Sequence, residues 1–164
     1  MRLLIIRHAD AGDADPQRYP DDRARPLTEL GRRTHRAVAA ALARMKLRPT
    51  RLYTSPLLRA QQTAAITHEV LGGAAPETLD ALSDDFSAAR LLDVLAQEPP
   101  DALVACVGHE PSLSGFSALL LHSQGAVRIA MPKSGVIGFE VAEPPRPGGA
   151  RLLFALPPTA VGKG

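Results

Sequence analysis

The stretch Leu3-Leu4-Ile5-Ile6-Arg7-His8-Ala9-Asp10 decides the reading of the fold. Four consecutive apolar, β-prone residues without alternation are what a strand buried on both faces of a parallel sheet requires, because neither face meets water. The run stops on a guanidinium and an imidazole, so the strand ends in reactive groups. Residues 10–26, polar and interrupted by Pro, predict an irregular loop. Thr28 predicts an N-cap for a helix through Met45, with Leu30, Val38, Ala41, Leu42 and Met45 as its apolar stripe. Residues 51–54 predict a second strand. Ser55-Pro56 then reads as a cap followed by proline at the first helical position, with the helix ending at Gly72-Gly73.

After a loop around residues 76–85, Ser87 predicts the cap of a helix with Leu91, Leu92 and Leu95 on one face, stopped by Pro99-Pro100. Residues 103–107 predict another buried strand, residues 108–111 a tight link, and a helix follows to about His122. Residues 136–141 and 151–156 flank a Pro/Gly loop and predict a hairpin. Strands alternating with helices predict an α/β fold: a three-layer α/β/α domain with a mainly parallel central sheet, mixed at one edge, and helices on both faces. A chain of 164 residues, 45% apolar, suffices for one core, so residues 1–164 are expected to form a single domain. Residues 157–164 are expected to be a disordered tail.

The apolar run at residues 3–6 is too short for a signal peptide or a membrane span, which predicts a cytoplasmic protein with no membrane partner. Cys106 is the lone cysteine, inside an apolar run, and is expected to pack as a small hydrophobe. Charge is unevenly spread: residues 1–64 hold 13 Lys+Arg against 6 Asp+Glu, and residues 65–164 hold 6 against 11. The basic half suits an anionic ligand, and Arg, 16 against 3 Lys, suits bidentate phosphate contacts. With four Phe, two Tyr and no Trp there is no stacking platform for nucleic acid, which is not expected as a partner.

In open α/β sheets, ligands gather beyond the carboxyl ends of the strands. The polar residues at those ends form three clusters: Arg7-His8, Ser55 with Arg59, and Gly108-His109-Glu110. Imidazole is a competent nucleophile toward phosphorus, and guanidinium groups neutralise and orient phosphoryl oxygens. Arg59 lies near the start of its helix, where free N–H groups also favour an anion. His109 can donate to a phosphoryl oxygen as charge gathers there. This chemistry needs neither metal nor cofactor.

Three motifs, Leu4-Ile-Ile-Arg7-His8-Ala9-Asp10, Tyr53-Thr-Ser-Pro-Leu-Leu-Arg59-Ala-Gln-Gln-Thr63-Ala and Val107-Gly-His109-Glu110-Pro111, resemble in order and spacing the histidine phosphatase superfamily. Residues 25–31, Arg-Pro-Leu-Thr-Glu-Leu-Gly, resemble its loop and helix start after the first strand. The resemblance implies a phosphoglycerate mutase-like fold, His8 as the phosphorylated nucleophile, Arg7 and Arg59 as phosphate clamps, and His109 as the fourth member of the pocket. The family usually has glycine after the nucleophile. Ala9 stands there instead, and it would be strained if the position needed a positive φ.

The short interval between the second and third motifs resembles the small SixA-like phosphohistidine phosphatases. The larger members carry insertions there and use a carboxylic acid to protonate an alkoxide leaving group. Candidate acids are Asp10, Asp84, Asp85 and Glu110, none in a distinct motif. The substrate expected from this is a phosphohistidine in a protein, met by a monomer through a shallow pocket rimmed by residues 10–25 and by Lys133-Ser134. Two alternatives stand beside it: a phosphomonoesterase for a small phosphorylated metabolite, and a non-catalytic phosphate- or phosphoprotein-binding domain. Ser55 lacks a G-x-S-x-G setting and reads as a helix cap. His35, His68 and His122 read as ordinary helix-surface residues, and Asp13-Ala-Asp15 as a solvated loop.

Overall fold

The computed structural model describes residues 1–122 and 127–162. Strand β1 (Arg2–Arg7) is central in a six-stranded sheet that also contains β2 (Arg51–Thr54), β3 (Pro76–Thr78), β4 (Leu103–Gly108), β5 (Val136–Val141) and β6 (Ala150–Leu156), in the order β3-β2-β4-β1-β5-β6. The first four of these neighbours run parallel; β5 is antiparallel to β1, and β6 to β5. The mixed edge is therefore the expected hairpin. Leu3 through Ile6 are essentially without exposure, as a strand covered on both faces demands.

Alternation along β1 and β4 splits the core in two. Leu3, Ile5, Val104 and Cys106 face α3 (Ala88–Leu95) and α4 (Ser112–Leu121), packing on Leu91, Leu95, Leu113, Phe116 and Leu120. Leu4, Ile6, Leu103, Ala105 and Val107 face α1 (Glu29–Arg44) and α2 (Leu58–Leu71) through Val38, Leu42, Ala60 and Ala64. These are the three layers. Cys106 is a buried free thiol in the first cluster, and burial raises its pKa to about 12.

Several boundaries differ from expectation for local reasons. Thr28 caps α1 by accepting from the Gly31 N–H, as its position suggests, but Leu30 and Met45 are exposed. The buried face of α1 is Gly31, His35, Val38, Ala39 and Leu42, so His35 is interior, not surface. Ser55-Pro56 do not begin a helix. Helix α2 starts at Leu58, with Leu57 at its cap and Gly72 closing it at φ +66°. Residues 76–85 contain β3 and a 3-10 turn at Asp80–Leu82. A strand opening on Pro76 is tolerable because β3 lies at the sheet edge. The segment from Pro157, expected to be disordered, has a defined course through Gly162: Pro158–Ala160 form a 3-10 turn beside α1, and Val161 packs on the second cluster. Residues 163 and 164 lie outside the described residues.

Candidate active site

The register of the sheet brings the three expected strand ends together. Arg7 pairs with Gly108 and Thr54 with Val107, and the ladder continues beyond the strands: the His8 N–H donates to the Gly108 carbonyl at 3.0 Å and the Ser55 N–H to the Val107 carbonyl at 2.9 Å. His8 and His109 are thereby set side by side, ring centroids 5.1 Å apart and tilted by 51°. Both rings are 8% exposed.

His8 Nδ1 lies 2.7 Å from the carbonyl oxygen of Ala9. A carbonyl only accepts, so Nδ1 carries the proton and Nε2 keeps its lone pair free for attack. Burial pushes the His8 pKa down to about 3; the Ala9 bond opposes this and the charges of His109, Arg59 and Arg7 add to it. Burial, then Arg59 and Arg7, push His109 to about 4. Both rings are neutral near pH 7, which a nucleophilic imidazole requires.

The two arginines are fixed from outside the pocket. Arg7 Nη1 donates to the Met131 carbonyl at 2.9 Å. Arg59, second residue of α2, donates from Nη1 to the Asp22 carbonyl at 2.9 Å and lies 3.1 Å from Asp22 Oδ2. Burial draws the Arg59 pKa down, and the carboxylates of Asp22 and Asp84 oppose this. Arg25 holds Asp22 in turn, Nε to Oδ1 at 2.7 Å, while its Nη1 reaches the Ala11 and Gly12 carbonyls. Arg7 Nε, Arg59 Nε, His109 Nδ1 and Ser134 Oγ are buried without a hydrogen-bond partner among the described residues. Unpaired buried donors are costly, and a tetrahedral oxyanion carries the acceptors they lack.

The loop after His8 is held from two sides. The Ala9 N–H donates to Thr63 Oγ1 at 3.0 Å, and Thr63 in turn donates to the Arg59 carbonyl at 2.7 Å. Ala9 is fully buried and does not have a positive φ, so the expected strain is absent; its methyl packs with Ala11, Leu27 and Ile66. Gly31 passes so close to this loop that a Cβ there would sit 2.1 Å from the Asp10 carbonyl oxygen. The two predicted rims meet: Lys133 Nζ lies 2.5 Å from Asp10 Oδ1, and the Ser134 N–H donates to the His8 carbonyl at 3.2 Å, Ser134 having φ +63°.

The candidate acids fare differently. Asp10 is engaged by Lys133 and by the Thr28 hydroxyl at 2.8 Å, and the Lys133 contact foremost holds its carboxyl below the usual carboxylate range. Glu110 Oε1 accepts from the Ser114 N–H at 2.9 Å in the first turn of α4. Asp84 and Asp85 are exposed; only Asp84 is close enough for its charge to act on Arg59. Asp22 and Thr63 join the site without having been singled out in the sequence, and Ser55, grouped there with Arg59 but read as a helix cap, bonds to His109 instead. Thr63 was within reach of a helix argument, being four residues from Arg59 on one face of α2. Asp22 sits in a 3-10 turn, Asp22–Ala24, with no sequence signal for its partner.

A family model described as the histidine phosphatase superfamily (branch 1) matches residues 3–90. An uncharacterised protein of Picosynechococcus sp. (strain ATCC 27264 / PCC 7002 / PR-6) is 34% identical over 93% of this chain and 88% of its own. Among solved structures, the protein histidine phosphatase SixA complexed with tungstate matches with a TM-score of 0.85 at 25% identity, covering 99% of this chain and 100% of that one. A protein assigned as phosphohistidine phosphatase SixA from Nakamurella multipartitia matches with a TM-score of 0.72 at 26% identity, over 97% and 96%.

Proposed function

Because this chain belongs to the histidine phosphatase superfamily and is a phosphatase, we propose that it acts on a phosphohistidine carried by another protein, through a phosphoryl group held transiently on His8. In this reading Nε2 of His8 attacks phosphorus in line. The P–N bond of the substrate breaks, its imidazole leaves with the bonding pair and takes a proton from solvent, and water then attacks the phosphohistidine of the enzyme to release inorganic phosphate. Arg7 and Arg59 neutralise the non-bridging oxygens, and His109 donates to one of them. The single observation that carries the mechanism is the His8 Nδ1 bond to the Ala9 carbonyl, which leaves Nε2 as the free nitrogen of a neutral ring.

The substrate class is supported by the state of the carboxylates. An alkoxide leaving group needs a proton donor far more than a departing imidazole does. Asp10 is held ionised by Lys133, and one oxygen of Glu110 is bound to the first turn of α4. Tungstate, the oxyanion bound by the SixA structure similar to this chain, is a tetrahedral stand-in for phosphate. One observation favours a phosphomonoesterase instead: Asp84 is near Arg59 and exposed, where it could serve as an acid. We place the protein in the cytoplasm as a monomer. Among the described residues no helix is long and apolar enough to cross a membrane.

The discriminating experiment compares kcat/KM on a phosphohistidine protein with a panel of alkyl phosphates, for the wild type and for Asp84→Asn. The expected result is a preference for the P–N substrate of at least about 100-fold, a difference of about 3 kcal/mol in barrier, and little effect of Asp84→Asn. Preference for an alkyl phosphate, abolished in Asp84→Asn, would establish the esterase reading.

A further inference from the structure

Ser55 directly follows β2, is fully buried, and has its Oγ 2.8 Å from Nε2 of His109. Helix capping does not account for it, because α2 starts three residues later and its N-cap is Leu57. We infer that Ser55 is a positioning residue that fixes His109 in the tautomer protonated on Nδ1, so that this N–H is presented to the transferring phosphoryl group. The inference rests on the placement of His109 in the phosphoryl pocket proposed above.

Two proton arrangements satisfy the Ser55–His109 contact. In one, the Ser55 hydroxyl donates to Nε2 and the ring proton sits on Nδ1. In the other, Nε2–H donates to Oγ, and the hydroxyl proton of Ser55 must find an acceptor elsewhere. Its other hydrogen-bond partner among the described residues is the Leu57 N–H, 3.3 Å away, which is itself a donor. The second arrangement therefore strands a fully buried hydroxyl proton, and it turns the bare lone pair of Nδ1 toward an anion. The first arrangement leaves one unmatched donor, the Nδ1–H, at an atom that is buried and without a partner among the described residues. A phosphoryl oxygen completes it. His8 is locked in the same way by a carbonyl. One ring then offers a lone pair at Nε2 and its neighbour an N–H at Nδ1, the complementary roles that attack and charge stabilisation require.

The test is nitrogen NMR on histidine-labelled protein near pH 7, with and without inorganic phosphate, beside kinetics. In the wild type, His109 is expected to show a protonated, pyrrole-like Nδ1 and a pyridine-like Nε2. Ser55→Ala should convert this to a tautomer mixture and lower kcat about tenfold, short of the 10²–10³ for deleting an oxyanion donor outright, with KM within about twofold. Ser55→Cys, a weaker donor of similar size, should fall between. In a His109→Gln background, where no tautomer exists to set, Ser55→Ala should change kcat by less than about twofold. A wild-type ring protonated on Nε2 would overturn the inference, and that readout stands even if Ser55→Ala does not fold. An equal kcat loss in the His109→Gln background would overturn it as well. Failure of the underlying pocket would be seen separately, as full activity in His8→Ala whatever the tautomer of His109.

Discussion

Ala9 contributes no polar side chain, yet its peptide group orients the proposed nucleophile. The carbonyl fixes the His8 tautomer while the N–H is anchored on Thr63, so a methyl-sized residue serves as well as glycine provided the backbone stays at negative φ. Thr63→Val keeps the volume and removes the acceptor. It should leave a buried N–H unpaired, cost about 1–3 kcal/mol of stability and lower kcat roughly tenfold through a misplaced ring, checked by a denaturant midpoint and by turnover of a phosphohistidine protein. Unchanged values of both would show that the loop holds itself. At this scale the sequence pointed to the side chains proposed to carry the chemistry, since Arg7, His8 and His109 stand at or just past a strand end and Arg59 lies in the first turn of the helix that follows one. It did not expose their supports, because a bond such as Ala9 to Thr63 spans a whole helix and strand.

Helices α1 and α2 meet over a polar pair, His35 and Thr67, both fully buried, with Nε2 and Oγ1 2.8 Å apart. Thr67 spends its hydroxyl proton on the Thr63 carbonyl, so His35 donates from Nε2 and keeps a bare, buried Nδ1. Burial pushes the His35 pKa down to about 4. The unfolded chain, with an ordinary value near 6.5, binds the proton first as pH falls. Stability is therefore full above about pH 6.5 and declines between about 6.5 and 4, by on the order of 3 kcal/mol from this residue over the whole window. Thermal melts from pH 7 to 5 should show a falling Tm in the wild type and a shallower fall in His35→Gln; parallel slopes would contradict the assignment. His35 belonged to the spacing Gly31, His35, Val38, Leu42, which was readable as a helical face. Its polar neighbours Thr34 and Arg36 made it look like surface, and Leu30 and Met45, though apolar, lie off that face.

Across the whole molecule, the order of the strands follows from the chain returning: β1 to β2 leaves a place that β4 fills, and the carboxyl ends of all three converge. Alternating strand and helix signals were enough to anticipate that convergence and the antiparallel edge. They could not reveal the course of residues 10–26, where Arg25 and Asp22 reach across to the Ala11 and Gly12 carbonyls and to Arg59, because such loops are shaped by tertiary contacts. The basic excess of residues 1–64 includes Arg7, Arg25 and Arg59, so part of it surrounds the site. The central claim, that a phosphoryl group passes through His8, is tested most directly by rapid quench of the enzyme with a labelled phosphohistidine protein. The account predicts an acid-labile, base-stable phosphoryl adduct on a peptide containing His8, absent in His8→Ala together with turnover. Turnover undiminished in His8→Ala, or an adduct on another residue, would contradict it.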